Sequence, residues 1–452
     1  MKTINDMKAI VNTCEHPLII RKQININRYI TIANGKIIAN ADDSIDGFSI
    51  KMQNGLVSGF ASAPISMEVK LLDLCNRAKS NLCDISDKME WKRTTSSDFV
   101  DEKINETKTL SGNMEEKIYE FDYILNNIVD NNVERSISLV TYYVQKDMVV
   151  TDKCVNKNYQ LVSFLLLQIS LEENDKKITI NRLTGWNGNV EDANRDAITS
   201  FFKESYCMLQ DRKNTVPVKA GKKDIILSCK MTGILVHEAI GHIAEADNIL
   251  AGSVAKNLLG KKVCSSKINI TDFANHYRGK ELAVPIYYDD EGNKAQDVEI
   301  IKSGIFTQLM TDYYTSYMFK INSSGNARAS VYSDQPLVRM RNTAMLPGDD
   351  DIFDMVASIQ DGYYIADGVS GQSDLSGDFN IIPSVVYEIK NGKIGKAVES
   401  CRLTGNCFDV LNSISMVSNR FDWYMGMCMK EQELVVSNGG PDIKCVMQIG
   451  EM

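Results

Sequence analysis

Apolar and polar residues alternate along the first third of the chain in short runs divided by turn dipeptides. Asn34-Gly35 lies between Tyr29-Ile30-Thr31-Ile32 and Ile37-Ile38, and Asn54-Gly55 lies between Ile50-Lys51-Met52 and Leu56-Val57. Both read as β-hairpins, because the central residues of a type I′ turn need positive φ, which Asn and Gly adopt most readily. The period then becomes helical. A helix is predicted over 67–78, capped by Ser66 with Glu68 in its first turn. A second, over 114–129, carries Ile118, Phe121, Leu125 and Ile128 on one face. Residues 135–150 and 160–171 are rich in branched and aromatic side chains and read as long strands. A helix over 190–210 would turn Ala197, Phe201 and Met208 to one side. The polar run 211–217 ends in Pro217 and reads as a domain boundary.

Beyond that boundary, Asp290-Glu291-Gly292, Ser303-Gly304 and Asn391-Gly392 punctuate short strands. Asp349-Asp350-Asp351 reads as the start of a helix, with acids near its positive dipole end. The patterning predicts an α+β fold of two domains, 1–215 and 216–452, with β-hairpin-rich sheets, packed helices and a mostly antiparallel carboxy-terminal domain. A chain of 452 residues also exceeds what one hydrophobic core usually organises.

Composition narrows the function classes. Hydrophobic residues make up 44% and charged residues 24%, so a large core can form. The net charge is −9, and the nearest approaches to a basic stripe are the pairs Lys222-Lys223 and Lys261-Lys262. Phosphate recognition needs more than that, so no nucleic-acid partner is expected. The apolar stretch 159–171 falls short of the ~18 residues that suggest a membrane span, so no membrane association is expected either. Eleven cysteines at irregular spacings form no disulfide or Cys-x-x-Cys pattern, and most read as small buried hydrophobes. Residues 1–6 carry a charge with no apolar stretch behind it, so no signal peptide is expected. With the free thiols, this gives a cytoplasmic expectation.

The candidate chemistry sits in Thr232-Gly233-Ile234-Leu235-Val236-His237-Glu238-Ala239-Ile240-Gly241-His242, which holds two of the four histidines. Two histidines flanking a glutamate suit zinc ligation with a general base beside it. Their spacing is five, which rotates an ideal helix by ~140° and points the imidazoles apart. A π-bulge, or a helix ending near Gly241, would bring both to one metal. A third ligand is also needed. Glu245, Asp247, His276 and Cys428 are the candidates, and periodicity does not choose among them.

His237-Glu238-Ala239-Ile240-Gly241-His242 resembles the His-Glu-x-x-x-His signature of the TldD/PmbA family, in the subunit type that keeps its metal site. Further stretches agree in order: Tyr288 to Gly292; Pro336 to Gly348 with Arg339-Met340 and Asn342-Thr343; Gly371-Gln372-x-Asp374 with Gly377-Asp378-Phe379; and Ile414 to Asn419. The likeness covers 217–452, with a looser fit over 20–60. It implies zinc as cofactor, held by His237, His242 and a carboxy-terminal cysteine matched by Cys428, with Glu238 as base. It implies an endopeptidase acting on unfolded or short peptides inside a dimer cavity, in peptide maturation or turnover. The dimer would be a homodimer or a heterodimer with a related subunit. Gly371, Gln372 and Asp374 would line the cavity or form a structural turn. The glycines the family places after its cysteine are replaced here by Met429-Lys430-Glu431-Gln432-Glu433, and its later Gly-x-Gly-Gln-Pro by Asn438-Gly439-Gly440-Pro441, which bears on channel shape. Two competing readings are a catalytically silent, cavity-forming partner subunit and a zinc hydrolase of non-peptide amides.

Overall fold

The computed structural model describes residues 4–14, 16–54, 56–67, 69–82, 100–102, 109–150, 154–173 and 175–452. Its amino-terminal half is one long-stranded sheet. The strands are β1 (Leu18–Ala33), β2 (Lys36–Asn54), β3 (Val57–Pro64), β4 (Val100–Glu102), β5 (Glu134–Val150), β6 (Cys154–Glu173) and β7 (Lys176–Asn187), in the order β3-β2-β1-β5-β6-β4 with β7 also on β6. The turn between β1 and β2 has Asn34 at φ 46° and Gly35 at φ 80°, the geometry the dipeptide demanded. Asn54 pairs with Val57 across the second hairpin. Gly55 and Glu68 lie outside the described residues.

Alternation along β1 sends its two faces to different partners. Ile20, Ile30 and Ile32 face a helical layer, where Met114–Asn126 and Arg195–Asp211 cover one end of the sheet and Ile4–Thr13 and Leu71–Ser80 the other. Arg21 and Gln23 face the carboxy-terminal half and bond to backbone carbonyls of residues 330–334.

Two helix predictions need correction. The helix expected from residue 67 begins at Leu71, with Lys70 in place of Ser66 at its cap. Pro64 accepts the Met67 N–H, so the chain first turns away from β3. The helix expected over 190–210 divides into a short 3₁₀ turn, Val190–Asp192, and Arg195–Asp211 capped by Asn194. Its buried face is Ile198, Phe202, Ser205 and Leu209, one residue round from the face expected. Phe201 and Phe202 are both aromatic, so the pattern alone did not orient the helix. Phe201 instead lies under the Arg182 guanidinium, 4.7 Å from ring centroid to cation.

The carboxy-terminal half holds two large sheets and, among the described residues, two short two-stranded ones. In one large sheet, Gly221–Leu227, Ile443–Glu451, Cys401–Asn406, Asp378–Lys390 and Asp361–Ser373 pair in a closed ring. The other large sheet has six strands and ends at the edge strand Asp422–Cys428, paired with Leu434–Gly440. Pairing is mainly antiparallel, with parallel pairs where Gly221–Leu227 meets Asp361–Ser373 and Asn342–Met345 meets Leu434–Gly440. The hairpins at Ser303-Gly304 and Asn391-Gly392 also have positive φ at both positions. Asp351 caps Ile352–Ala357 by accepting the Phe353 N–H, as the acidic run predicted. The whole is α+β. The helix Cys229–Leu235 runs between the two large carboxy-terminal sheets, and Met231, Ile234, Leu235, Ala239, Ile240 and Ile243 are sunk in their common core. Cys75, Cys229, Cys264, Cys401, Cys407 and Cys445 are buried free thiols, the core role expected of them. Among the described residues, no helix is long and apolar enough to cross a membrane.

Candidate metal centre

The helix that carries the histidines starts at Ser228, whose hydroxyl accepts the Met231 N–H. At Val236–Gly241 it widens into a π turn, and the His242 N–H bonds to the His237 carbonyl five residues back. The wider turn brings residues five apart onto one face. The two imidazoles meet edge to face with ring centroids 5.0 Å apart. Gly241 allows this register, because a Cβ there would lie 2.0 Å from Met340 Sδ.

Cys428 reaches the same point from the end of the edge strand. Its Sγ lies 3.7 Å from His242 Nε2. Arg339, fully buried, holds the turn in place by donating to the carbonyls of Cys428 (2.8 Å), Lys430 (3.1 Å) and Gln432 (2.7 Å). One donor atom from each of His237, His242 and Cys428 lies within 4.8 Å of the others. A tetrahedral zinc, with sulfur at ~2.3 Å and nitrogen at ~2.0–2.1 Å, asks for ligand separations of roughly 3.3–3.8 Å. The donor set therefore fits a zinc-sized cation with small inward shifts. Two further observations agree. His237 Nδ1 is buried and has no hydrogen-bond partner among the described residues. Burial raises the Cys428 thiol, but hydrogen bonds to His237 and His242 and their charges outweigh it, bringing it down to about 4. The pocket favours the thiolate that a metal requires.

The remaining ligand candidates have other partners. Glu245, fully buried, accepts from His242 Nδ1 (3.0 Å), Lys430 Nζ (3.1 Å) and Asn248 Nδ2 (3.1 Å). It holds the outer nitrogen of His242, leaving Nε2 toward Cys428. Burial raises its carboxyl, but His242 and Lys430 outweigh burial and hold it at about 2. Asp247 bonds to Lys430 Nζ at 2.7 and 2.8 Å. His276 sits exposed on a separate hairpin beside Tyr287. Neither belongs to the three-residue cluster.

Glu238 lies beside the cluster, with Oε2 4.0 Å from His242 Nε2. Burial raises its carboxyl above the usual range; the two imidazoles pull it down and Cys428 adds to the rise. The Gly371 backbone amide also lowers this carboxyl, and Ser373 Oγ donates to the Glu238 carbonyl at 2.6 Å. A Cβ at Gly371 would approach Glu238 Cγ to 3.1 Å and Ile381 to 2.9 Å, so glycine is what lets this strand close on the glutamate. Gly371, Gln372 and Asp374 line a cavity of about 660 Å³ together with His237, Glu238, His242 and Cys428. Asp374 also accepts from the backbone N–H groups of Ser376 and Asp378, so it shapes the turn. Sequence reasoning missed Lys430 and Asn248 and gave Arg339 no role. Arg339 stood in a matching segment, whereas Lys430 stood in a stretch that departs from the family and Asn248 in none.

A largely buried His/His/Cys triad with an adjoining carboxylate, built from one helix and one strand end, defines a metallopeptidase-type domain. Residues 220–450 match the family described as PmbA/TldA metallopeptidase C-terminal domain. The chain belongs to the PmbA/TldD metallopeptidase family. A zinc metalloprotease TldD homolog from Saccharolobus solfataricus is 38% identical over 240 residues, 52% of this chain and 53% of that protein. The chain thus spans about half the length of this relative. A metalloprotease TldD homolog from Buchnera aphidicola subsp. Schizaphis graminum is 28% identical over 439 residues, 92% of this chain and 88% of that one. The crystal structure of TldE from Thermococcus kodakarensis superposes with a TM-score of 0.80 at 15% identity, covering 99% of this chain and 100% of that one, and shares the fold.

Proposed function

We propose that this chain is a zinc-dependent peptidase that hydrolyses unfolded or short peptides. The observation that carries the reading is the convergence of His237, His242 and Cys428 beside Glu238 in one cavity. The relatives named as metalloproteases support it. Zinc, when bound, supplies a Lewis acid that polarises a carbonyl and lowers the pKa of water. Glu238 takes the proton of the attacking water and passes it to the leaving amine, a role suited to a carboxyl raised by burial. Ser373 donates to the Glu238 carbonyl, and the close approach of Gly371 confines the glutamate side chain. The edge strand Asp422–Cys428 offers unpaired backbone groups to an extended peptide running past the site. A homodimer, or a heterodimer with a related subunit, would close the cavity around the peptide; sedimentation of the purified chain alone and mixed with such a subunit tests this. The reading places the protein in the cytoplasm, with no membrane or nucleic-acid partner. A silent partner subunit would have no use for the complete triad and its glutamate, which counts against that reading. A hydrolase of non-peptide amides is separated by trial digestion of unstructured peptides beside simple amides.

The deciding experiment compares wild type with Glu238→Gln and Cys428→Ser. Glu238→Gln is expected to keep zinc and lose hydrolysis by at least a hundredfold, and Cys428→Ser to lose zinc by elemental analysis. Undiminished peptide cleavage in Glu238→Gln sinks the mechanism.

A further inference from the structure

A second, smaller cavity of about 220 Å³ shares His237, Glu238 and Met427 with the first. Its walls come from four elements: Leu183 of β7, Lys230 and Ile234 of the central helix, 424–427 of the edge strand and Asn438 of its neighbour. Gly426 and Cys428 are two residues apart on one strand and share a face, so Gly426 lies ~7 Å along from the thiolate. That is about one residue of an extended peptide. A Cβ built on Gly426 meets nothing within 4 Å, and its φ is not in the left-handed region. The space beside it is open because a side chain is missing, and the backbone there does not demand glycine.

The lining fixes what the slot would accept. Leu183, Ile234 and Met427 are apolar. The ammonium of Lys230 is held by Asp367 at 2.6 Å, and Asp367 is itself shared with Arg182 at 2.6 Å, so no unpaired cation faces the slot. Glu238 also lines the slot and disfavours an acidic guest. Asn438 Oδ1 is buried without a hydrogen-bond partner among the described residues, an acceptor left open in the wall.

We propose that this slot is a side-chain subsite. It takes a bulky, uncharged side chain with a donor at its tip, tyrosine being the simplest, from a residue adjoining the scissile bond. The proposal rests on the peptidase reading above and adds a specificity to it. Filling an apolar pocket of this kind discriminates by roughly 10–200-fold, so the preference is large enough to measure.

The test uses the zinc-loaded full chain and a set of unstructured peptides. Each carries one tyrosine, phenylalanine or glycine at successive positions in an otherwise small-residue background, with cut sites mapped by mass spectrometry. Cuts are expected at a fixed offset from the tyrosine. The expected kcat/KM is at least tenfold above that of the glycine peptide, with phenylalanine between. Gly426→Val, which fills the slot, should bring the tyrosine-to-glycine ratio toward one while zinc content stays that of wild type. Asn438→Ala should narrow the gap between tyrosine and phenylalanine. Cuts scattered without regard to the bulky residue, or a ratio that Gly426→Val leaves unchanged, overturn the subsite and leave the peptidase reading standing. No cleavage of any peptide by the zinc-loaded wild type overturns both.

Discussion

At the scale of single residues, the site is organised by groups that do not touch the metal position. Glu245 is the clearest. It stood in the sequence as a ligand candidate, three residues after His242. In the structure its carboxylate binds the far nitrogen of that imidazole and is itself held by Lys430 and Asn248. Burial lowers His242, but Glu245 and then Cys428 outweigh it and raise it to about 10. Two acidic groups, Glu245 and Cys428, therefore flank this imidazole. Glu245→Gln preserves the shape and removes the charge; zinc affinity, read by competition with a chelator, is expected to fall by about 10–100-fold. An unchanged affinity would mean that Glu245 merely fills space.

At the scale of elements, the decisive feature is the π turn Val236–Gly241. Five-residue spacing on a regular helix would separate the imidazoles; one widened turn brings them together. The turn persists because the helix is packed on the faces turned away from the cavity, with Gly241 against Met340 and Gly371 against Glu238. Gly241→Ala is expected to cost about 1–3 kcal/mol, since the new methyl meets a sulfur in a filled core. Shortening the neighbour in Met340→Ala should recover part of that loss in the double variant. Thermal unfolding of the two single variants and the pair measures the coupling, and simple additivity would show that the contact is not the cause.

At the scale of the molecule, the acidic turn Asp289–Gly292 acts as the clasp between the two halves. Asp290 is bonded to Lys146 of β5 at 2.6 Å and lies 3.4 Å from Arg21 of β1, and Glu291 pairs with Lys51 of β2. Burial raises the Asp290 carboxyl, yet Lys146 and Arg21 outweigh it and hold it below its ordinary value. Its folded pKa is thus below its unfolded one. The stabilisation Asp290 contributes is complete above its unfolded value of ~4 and is lost as pH falls through the folded value, while Asp289 beside it, raised to about 8 by burial and by Glu291, runs the opposite way. Lys146→Met breaks a buried pair and is expected to cost about 3–5 kcal/mol. The acid midpoint of unfolding should move upward with it. A midpoint that stays in place in that variant would show that the clasp carries no stability.

Much of this protein is readable from local pattern. The Asn34-Gly35, Ser303-Gly304 and Asn391-Gly392 hairpins follow from backbone sterics that act over four residues. The helix start at Asp351 and the histidine–glutamate motif are equally local, and the latter announced metal chemistry before any geometry was known. The face of the helix Arg195–Asp211 was not readable, because Phe201 and Phe202 satisfy the same pattern and only the Arg182 stack separates them. The third member of the metal cluster needed either a family resemblance or the fold, since Cys428 lies 186 positions from His242 and no periodicity spans that distance. Glu245 and Asp247 were chemically equal candidates on paper. Tertiary packing decided between them and Cys428: it turned Glu245 to the back of His242, tied Asp247 to Lys430, and let Arg339 set the cysteine against both imidazoles. Sequence determined which donors this chain owns, because residue type and neighbouring backbone are written locally. Which donors meet was decided by the packing of sheets on one buried helix, a property of the whole chain.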